Sequence, residues 1–598
     1  LSIVKLNARL KNKAVIRNKI YLSLKELLVK EGITGVDFVV EHPADLVRGD
    51  YFSNAAFVAA KILKKNPVEL AQAISKNFPK EDYVEKIEVV KPGFINFWLS
   101  KRYFSQELRR IIQKKEFVSK TVNSNKKIIV EYSSPNIAKP FTIGHLRSTI
   151  IGDAVANLLE ATGWKVYRDN HIGDWGTQFG KLIYAIKQWG NEEEIGKADN
   201  PVKLLVDLYV RFHKEAEADP SLDDKGREWF NKLERGDKEA RELWQKCVGW
   251  SLKEFKKIYD QLGIKFTENN GLGYGESFFE DKINPVVEEL KAKGLLKESE
   301  DAMLVFFPND KFPPLMILKK DGATLYSTRD LATDKFRLEK YGKDIVVINE
   351  VGNEQSLYFQ QLYELERMLG WYKEGQRIHI KHGLYRFKDE KMSTRKGNTV
   401  WLEDILRMAV DKAYGITMHT GAIAGGNGTG AKKRKIMDET EKEETVNRIA
   451  VGAIKWNDLK RSSHLDVVFD WDEVLNMEGN SGPYLQYVYA RIQSVLSKAC
   501  GKEIGAESAV FEFEPEELTL LRMVCRFPEV LEEAAGNFAP NILCNYLFEV
   551  AQSFNLFYQR HKIIGSETES FRLALTYSVG EVIKNGLGLL GIAAPDKM

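Results

Sequence analysis

The chain has 598 residues, 43% of them hydrophobic and 29% charged, with a formal net charge of +3; this length calls for several domains and this composition excludes a disordered chain. Its apolar runs, such as Lys126 to Tyr132, are broken by charge well short of the roughly twenty residues a membrane-spanning helix requires. The small net charge does not announce a nucleic-acid binder, and the widely spaced cysteines at 247, 500, 525 and 544 offer neither a CxxC pair nor a disulfide framework.

The first residues, Leu1 to Lys5, lack the apolar core of a secretory signal, so the cytoplasm is the expected location. Residues 1 to about 118 combine a helical beginning, helical apolar spacing resuming between Gly49 and Ala73, and a strand-like Val89-to-Leu99 segment, which together predict a small α+β domain. Lys126 to Tyr132 is a β-branched run that stops at Ser133-Ser134-Pro135-Asn136, where the proline disfavours helix before it. Leu146, Ile150, Ala154, Leu158 and Ala161 then recur at helical spacing up to Gly163, and Lys165 to Arg168 reads as another strand. Strand, loop, helix, strand opens a parallel α/β nucleotide-binding unit.

From about Glu192 to Lys265 the sequence turns charged and helical, notably over Pro201–Ala216 and Arg235–Leu262, and reads as an insertion in that unit before strand-like Met303–Phe307. Asp344–Ile348 and Arg377–Ile380 read as further strands with a helix, Ser356–Leu369, between them. The glycine-rich stretch 421–430 and the basic run 431–435 predict a surface loop, since P-loop spacing is absent. Beyond it the chain reads helical almost to its end, over Tyr484–Leu496, Leu518–Ala534 and Asn541–Arg560, as a separate all-α domain.

Chemistry concentrates after the first strand of the α/β unit. Gly144 permits close approach of a nucleotide, His145 can donate to an oxygen, and the start of the following helix favours phosphate. Alone, a Gly-His before a helix suits a structural turn equally well. A second cluster, Lys391-Met392-Ser393-Thr394-Arg395-Lys396-Gly397, sets cations and hydroxyls on a loop that could stabilise a leaving pyrophosphate, or could be a solvated basic loop.

Taken together, and in this order, the two clusters resemble the HIGH and KMSKS signatures of class I aminoacyl-tRNA synthetases. Ser133 to Pro140, His145 to Asp153, Asp169 to Gly180 and Leu325 to Asp330 narrow the resemblance to the arginyl-tRNA synthetases. Gly49-Asp50-Tyr51 and Pro92 to Phe97 resemble that family's N-terminal tRNA-binding domain, while Gly479 to Tyr487 and Phe554 to Tyr558 resemble its anticodon-binding domain. The fold so implied is α/β multidomain: an N-terminal α+β tRNA-binding domain (1–118), a Rossmann-like parallel-sheet catalytic domain (119–405) with a helical insertion at about 190–300, and a helical linker and all-α anticodon-binding domain (406–598).

The resemblance implies ATP-dependent activation of L-arginine to arginyl-adenylate and transfer to the terminal 2′-hydroxyl of tRNA(Arg), with tRNA assisting activation. ATP brings Mg2+, no fixed metal site is expected, neither DNA nor a membrane is a partner, and the chain is read as a monomer. Lys139, His145, Lys391, Arg395 and Lys396 are assigned to catalysis; Pro135, Thr142, Ile143, Gly144, His145, Met392 and Ser393 to ATP. A guanidinium is planar and permanently charged and needs a matched acidic acceptor set. Glu131, Ser133, Asn136, His145, Tyr326, Asp330 and Gln355 are assigned to arginine, with Asp330 and Tyr326 at the guanidinium and Glu131 and Asn136 toward the ammonium and carboxylate. Phe94, Asn96, Tyr484, Tyr487, Arg491 and Tyr558 are assigned to tRNA, although aromatics at helical spacing also suit a core.

Three positions depart from the pattern: Thr142 replaces the first histidine of HIGH, Thr394 the second lysine of KMSKS, and Tyr358 stands where members often carry histidine. Lys139 is expected to compensate for Thr394. Two competing readings follow from other weightings. A non-catalytic tRNA-binding or regulatory relative would explain Thr142 and Thr394 but not the retained Gly144, His145, Asp330 and Lys391. A synthetase for cysteine would want zinc-ligand cysteines, and one for glutamate a cationic pocket.

Overall fold

The computed structural model describes residues 15–598 except 44, 115–122, 124, 300–301, 320–323, 389–399, 424–436, 503 and 506–511. The chain folds in three parts. The N-terminal part holds a four-stranded antiparallel sheet in the order β1-β2-β4-β3, made of β1 (Val40–Glu41), β2 (Tyr51–Ser53), β3 (Val84–Val90) and β4 (Phe94–Leu99). The expected helical stretch from Gly49 therefore begins with a short strand and becomes helical at Ala55–Leu63 and Pro67–Asn77. Asn66 caps the second helix by accepting from the amides of Val68 and Glu69.

The central part is built on a parallel sheet of β5 (Lys127–Glu131), β6 (Lys165–Asp169), β10 (Val346–Gly352) and β11 (Arg377–His382), in the order β11-β10-β5-β6. These strands are apolar runs because helices cover both faces. Ile128, Val130, Ile348 and Ile380 pack on the side of the Ile143–Ala161 helix, whereas Ile129 and Val347 pack on the side of the Tyr326–Tyr341 and Ser356–Leu369 helices. In-register pairing sets Asn349 beside Glu131 and Glu131 beside Asp169 at the carboxyl ends of three adjacent strands.

Between the two halves of the sheet lie the helices of the expected insertion, among them Pro201–Ala218 and Lys238–Leu262. The Met303–Phe307 segment is not part of the parallel sheet. It contributes β8 (Ala302–Val305) to a separate antiparallel sheet with β7 (Leu296–Ser299) and β9 (Leu315–Leu318).

The C-terminal part is helical, including Glu439–Leu459, Gly482–Lys498, Pro515–Asn537 and Pro540–Arg560, and among its described residues there is one strand that the helical reading did not anticipate. This strand, β13 (Val467–Phe469), pairs in parallel with β12 (Tyr385–Phe387), so a segment beyond the glycine-rich stretch is fastened to the end of the α/β unit. Residues 424–430 of that stretch, with the basic run after it, lie outside the described residues.

Buried polar contacts join the three parts. Arg147, 1% exposed, donates through Nε to Asp458 at 3.1 Å and through its other nitrogens to the carbonyls of Leu465 (2.8 Å) and Ser463 (3.0 Å). The Tyr385 hydroxyl donates to the same Asp458 carboxylate at 2.6 Å. On the N-terminal side, Tyr51 donates to Glu529 at 2.6 Å and Arg522 to Asp50 at 2.5 Å, which docks the antiparallel sheet on the Pro515–Asn537 helix. Asp50 and Tyr51 of the Gly49-Asp50-Tyr51 motif thus serve this junction. Among the described residues no helix is long and apolar enough to cross a membrane.

Candidate functional site

The loop leaving β5 is unusual in its backbone. Ser133, Ser134 and Ala138 all have positive φ (77°, 45° and 55°), a conformation that costs a residue with a side chain roughly 1–2 kcal/mol. The loop holds because it is pinned at both ends. Asn136 bridges Gly173, with the Ile137 amide donating to Gly173 O and the Gly173 amide to Pro135 O, both at 3.1 Å. A Cβ at position 173 would fall 2.4 Å from Asn136 Oδ1, so only glycine lets Asn136 lie there.

A cavity of about 230 Å3 opens beside this loop, and Glu131, Asn136, Tyr326, Asp330 and Gln355, five of the residues expected to meet arginine, line it together. Tyr326, Asp330, Asp334 and Arg337 reach it from one face of the Tyr326–Tyr341 helix, where the spacing of four, eight and eleven residues stacks side chains along a single stripe. Ser133 and His145 do not line it. Ser133 Oγ is buried against Thr149 Oγ1 (2.7 Å) and Tyr259 OH (2.8 Å), a consequence of its left-handed backbone turning the side chain beneath the loop.

The cavity wall is strongly acidic. Glu131 accepts from Asn349 Nδ2 at 2.9 Å and from Arg337, whose guanidinium also meets Asp169 (2.8 Å) and Asp334 (3.2 Å). Burial opposes the charge on Glu131, yet Arg337 and His171 overcome it and hold the carboxyl at about 2, well below the usual range. Asp334 is further clasped by Arg377 at 2.8 and 2.6 Å. Among the described residues Asp330 has no such arginine partner. It accepts from the Tyr358 hydroxyl and has His171 Nε2 3.7 Å away, and burial pushes its carboxyl up to about 6 despite the nearby imidazole. His171, burial notwithstanding, is pushed up by Glu131, Asp330 and Glu276.

His171, Glu276, Asn349 and Tyr358 were not singled out for the cavity from sequence, and they arrive from four separate segments. His171 lay inside the Asp169–Gly180 motif and Tyr358 stood out as a departure from the family pattern, whereas Glu276 and Asn349 carried no signal.

The second expected cluster starts the Ile143–Ala161 helix. The Thr142 amide donates to His145 Nδ1 at 3.0 Å, so Nδ1 is an acceptor and the ring proton resides on Nε2. Burial, then Lys139 and His382, lower this imidazole to about 4, which keeps it neutral. Thr142, where HIGH has its first histidine, is the helix N-cap. A Cβ on Gly144 would meet only Thr142 Oγ1, at 3.5 Å, leaving the first turn open to a nucleotide. Pro135 and Ile143 are buried beneath it, whereas Lys139 is exposed and has no ion-pair partner among the described residues. Lys391, Met392, Ser393, Arg395 and Lys396 lie outside the described residues.

Of the residues assigned to RNA, Phe94 is half-buried beside Phe52 and Phe57, with ring centroids 5.8 and 6.1 Å away, while Asn96 is 5% exposed within β4 and presents no side chain to a partner. Arg491 donates to Asn555 Oδ1 (2.6 Å) and Tyr487 OH (3.2 Å) and lies over the rings of Tyr487 and Tyr558. Tyr484 is buried below, accepting from Asn555 at 2.9 Å.

Comparison with known proteins agrees in all three parts. Residues 14–99 match the family described as "Arginyl tRNA synthetase N terminal domain", 107–471 "tRNA synthetases class I (R), catalytic domain", and 485–598 "DALR anticodon binding domain". The chain is 39% identical to an "Arginine--tRNA ligase" of Clostridium botulinum, over 97% of this chain and 100% of the relative. It is 40% identical to one of Clostridium perfringens, over 95% and 97%. A crystal structure of arginyl-tRNA synthetase from Plasmodium falciparum superposes with a TM-score of 0.80 at 26% identity, covering 98% of this chain and 99% of that one. The Thermus thermophilus structure, at 23% identity, shares the fold with a TM-score of 0.78 over 98% of this chain and 100% of that one.

Proposed function

The chain belongs to the arginyl-tRNA synthetase family of class I aminoacyl-tRNA ligases, and on that premise we propose that the acid-lined cavity beside β5 receives the arginine side chain. The reaction is the ATP-dependent joining of arginine to its tRNA, through arginyl-adenylate and pyrophosphate. The observation that carries the residue assignment is the cavity's unbalanced charge. Arg337, in its wall, is spent on Glu131, Asp169 and Asp334, while Asp330 has no arginine or lysine partner among the described residues. An arriving guanidinium meets Asp330 with paired donors, as a lysine ammonium cannot.

In our reading Tyr326 lies over the guanidinium, and Asn136 and Gln355 hold the ammonium and carboxylate end. Glu131 acts through Arg337 and Asn349, which fix the cavity wall, since both of its oxygens are already bonded. The arginine carboxylate then attacks the α-phosphorus in line, and the terminal 2′-hydroxyl of tRNA attacks the adenylate. Catalysis comes from positioning and from charge complementarity. His145 offers its Nε2 proton to the nucleotide, Gly144 leaves room for it, and Lys139 with Lys391, Arg395 and Lys396 meets phosphate charge. Mg2+ enters with ATP as part of the substrate.

Phe94 on one end and Tyr487, Arg491 and Tyr558 on the other are read as contacts for tRNA, and the chain as a cytoplasmic monomer whose nucleic-acid partner is RNA. The test is ATP–pyrophosphate exchange dependent on arginine, with and without tRNA and with lysine as control. Exchange with arginine alone among the amino acids supports the reading; its absence in both conditions sinks it.

A further inference from the structure

A second carboxylate-held histidine stands on the sheet face opposite the amino-acid cavity. Alternation along β10 turns Asn349 to the cavity and Glu350 to the other side, that of the Ile143–Ala161 helix. The Glu350 side chain is fully buried, and its Oε1 lies 2.9 Å from Nδ1 of His382, the last residue of β11. The Glu350 carbonyl accepts from Ser148 Oγ at 3.0 Å, one helical turn after His145, so this pair is fastened to the helix whose start is read as the ATP site. His382 therefore sits at the carboxyl end of the parallel sheet, where such sheets bind ligands. Its Nδ1 is committed to Glu350, and its Nε2 has no hydrogen-bond partner among the described residues.

We propose that His382, oriented by Glu350, is a binding residue for the triphosphate of ATP and supplies there the charge that this chain lacks at Thr142. This rests on the reading of the Thr142–His145 helix start as the nucleotide site. The charged groups facing His382 are Glu350 from β10, Arg147 from the Ile143–Ala161 helix and Asp458 from the Glu439–Leu459 helix, and the titratable imidazoles of His145, on the same helix as Arg147, and of His379, on its own strand, interact with it electrostatically. Burial and Arg147 pull the imidazole down, but Glu350 and Asp458 prevail and raise it above its ordinary value. His145, by contrast, is neutral. The two histidines thus divide the work: a neutral donor on the helix and, on the strand, an imidazole whose charged form is favoured by Glu350. A raised histidine keeps its proton as pH falls and loses it as pH rises through the raised value, so nucleotide affinity weakens on the alkaline side.

The experiment measures KM for ATP, KM for arginine and kcat in pyrophosphate exchange, with tRNA present, across about pH 6–9 for the parent, His382→Gln and Glu350→Gln. Calorimetric ATP binding by the same proteins is read in parallel. His382→Gln is expected to weaken ATP about tenfold, the contribution of one charge-assisted hydrogen bond, to flatten the alkaline rise in KM for ATP, and to leave KM for arginine unchanged. Glu350→Gln keeps the imidazole but moves that rise to lower pH. An unaltered ATP affinity and pH profile in His382→Gln overturns the proposal, as does an equal loss for both substrates. Failure of the parent to exchange arginine would instead count against the functional reading, while ATP binding would still decide the role of His382.

Discussion

The hydroxyl of Tyr358 donates to Oδ2 of Asp330, and the Tyr326 ring closes on the Tyr358 ring with centroids 4.8 Å apart. The carboxylate of Asp330, which lines the cavity, is therefore aimed by a side chain from the Ser356–Leu369 helix. A phenol can only donate to that carboxylate, so Asp330 is held as an acceptor toward an incoming guanidinium.

Replacing Asp330 by asparagine preserves shape and removes the charge. We expect kcat/KM for arginine to fall roughly a hundredfold or more, since a buried acceptor set built for a guanidinium is left mismatched, with KM for ATP within about twofold. Steady-state exchange at varied arginine and ATP checks it; a comparable rise in both KM values would remove Asp330 from the arginine subsite.

The raised carboxyl of Asp330 has a pH consequence. Guanidinium binding requires the carboxylate, which is present above about 6 and is lost as pH falls through that value. The acid limb of kcat/KM for arginine is therefore expected near pH 6 in the free enzyme, and it should vanish in the residual activity of Asp330→Asn.

Tyr358→Phe deletes one hydrogen bond and nothing else of volume. KM for arginine should rise about three- to tenfold, in line with a net 0.5–1.5 kcal/mol. Because the phenol helps to hold the Asp330 carboxyl down, the acid limb should also move to higher pH. An unchanged limb would mean that Tyr358 only fills space.

Arg147 and Asp458 join the helix of the first signature to the C-terminal part, and both are at most 1% exposed. Asp458→Ala leaves a buried guanidinium uncompensated, at a cost of about 3–5 kcal/mol. A lowered midpoint of thermal unfolding is the expected readout, with the Tyr385→Phe change, which keeps the ion pair, giving a much smaller shift.

Lys139→Ala should slow pyrophosphate exchange at least tenfold if Lys139 replaces the charge absent at Thr394, without moving the unfolding midpoint, because Lys139 is exposed. Exchange at the parental rate in Lys139→Ala, together with loss of exchange in Lys396→Ala, would assign the compensation elsewhere.

Much of this was written locally. The β-branched run of β5, the spacing of the Ile143–Ala161 helix and the Ser356–Leu369 helix are each set by neighbours in sequence, and Tyr326 and Asp330 share a helix face that can be counted off. What stayed illegible depends on distant pairing. β12 and β13 are three residues each and find one another across some eighty positions, too short to show a period. Arg337 reads as one more cation on a helix until Glu131 and Asp169 are brought beside it by strand register. That the Ser133 side chain turns away from the cavity depends on its left-handed backbone, which residue type alone does not disclose.

The alternation of Asn349 and Glu350 along one strand makes the parallel sheet a party wall. In our reading the amino acid is furnished from one side and the nucleotide from the other, and they meet only above the strand ends. Tenancy on either side can then change independently. Residues that tell arginine from its imitators can be altered without disturbing the fit of ATP, and an inhibitor shaped to one room should find its selectivity there while leaving the other substrate free to enter.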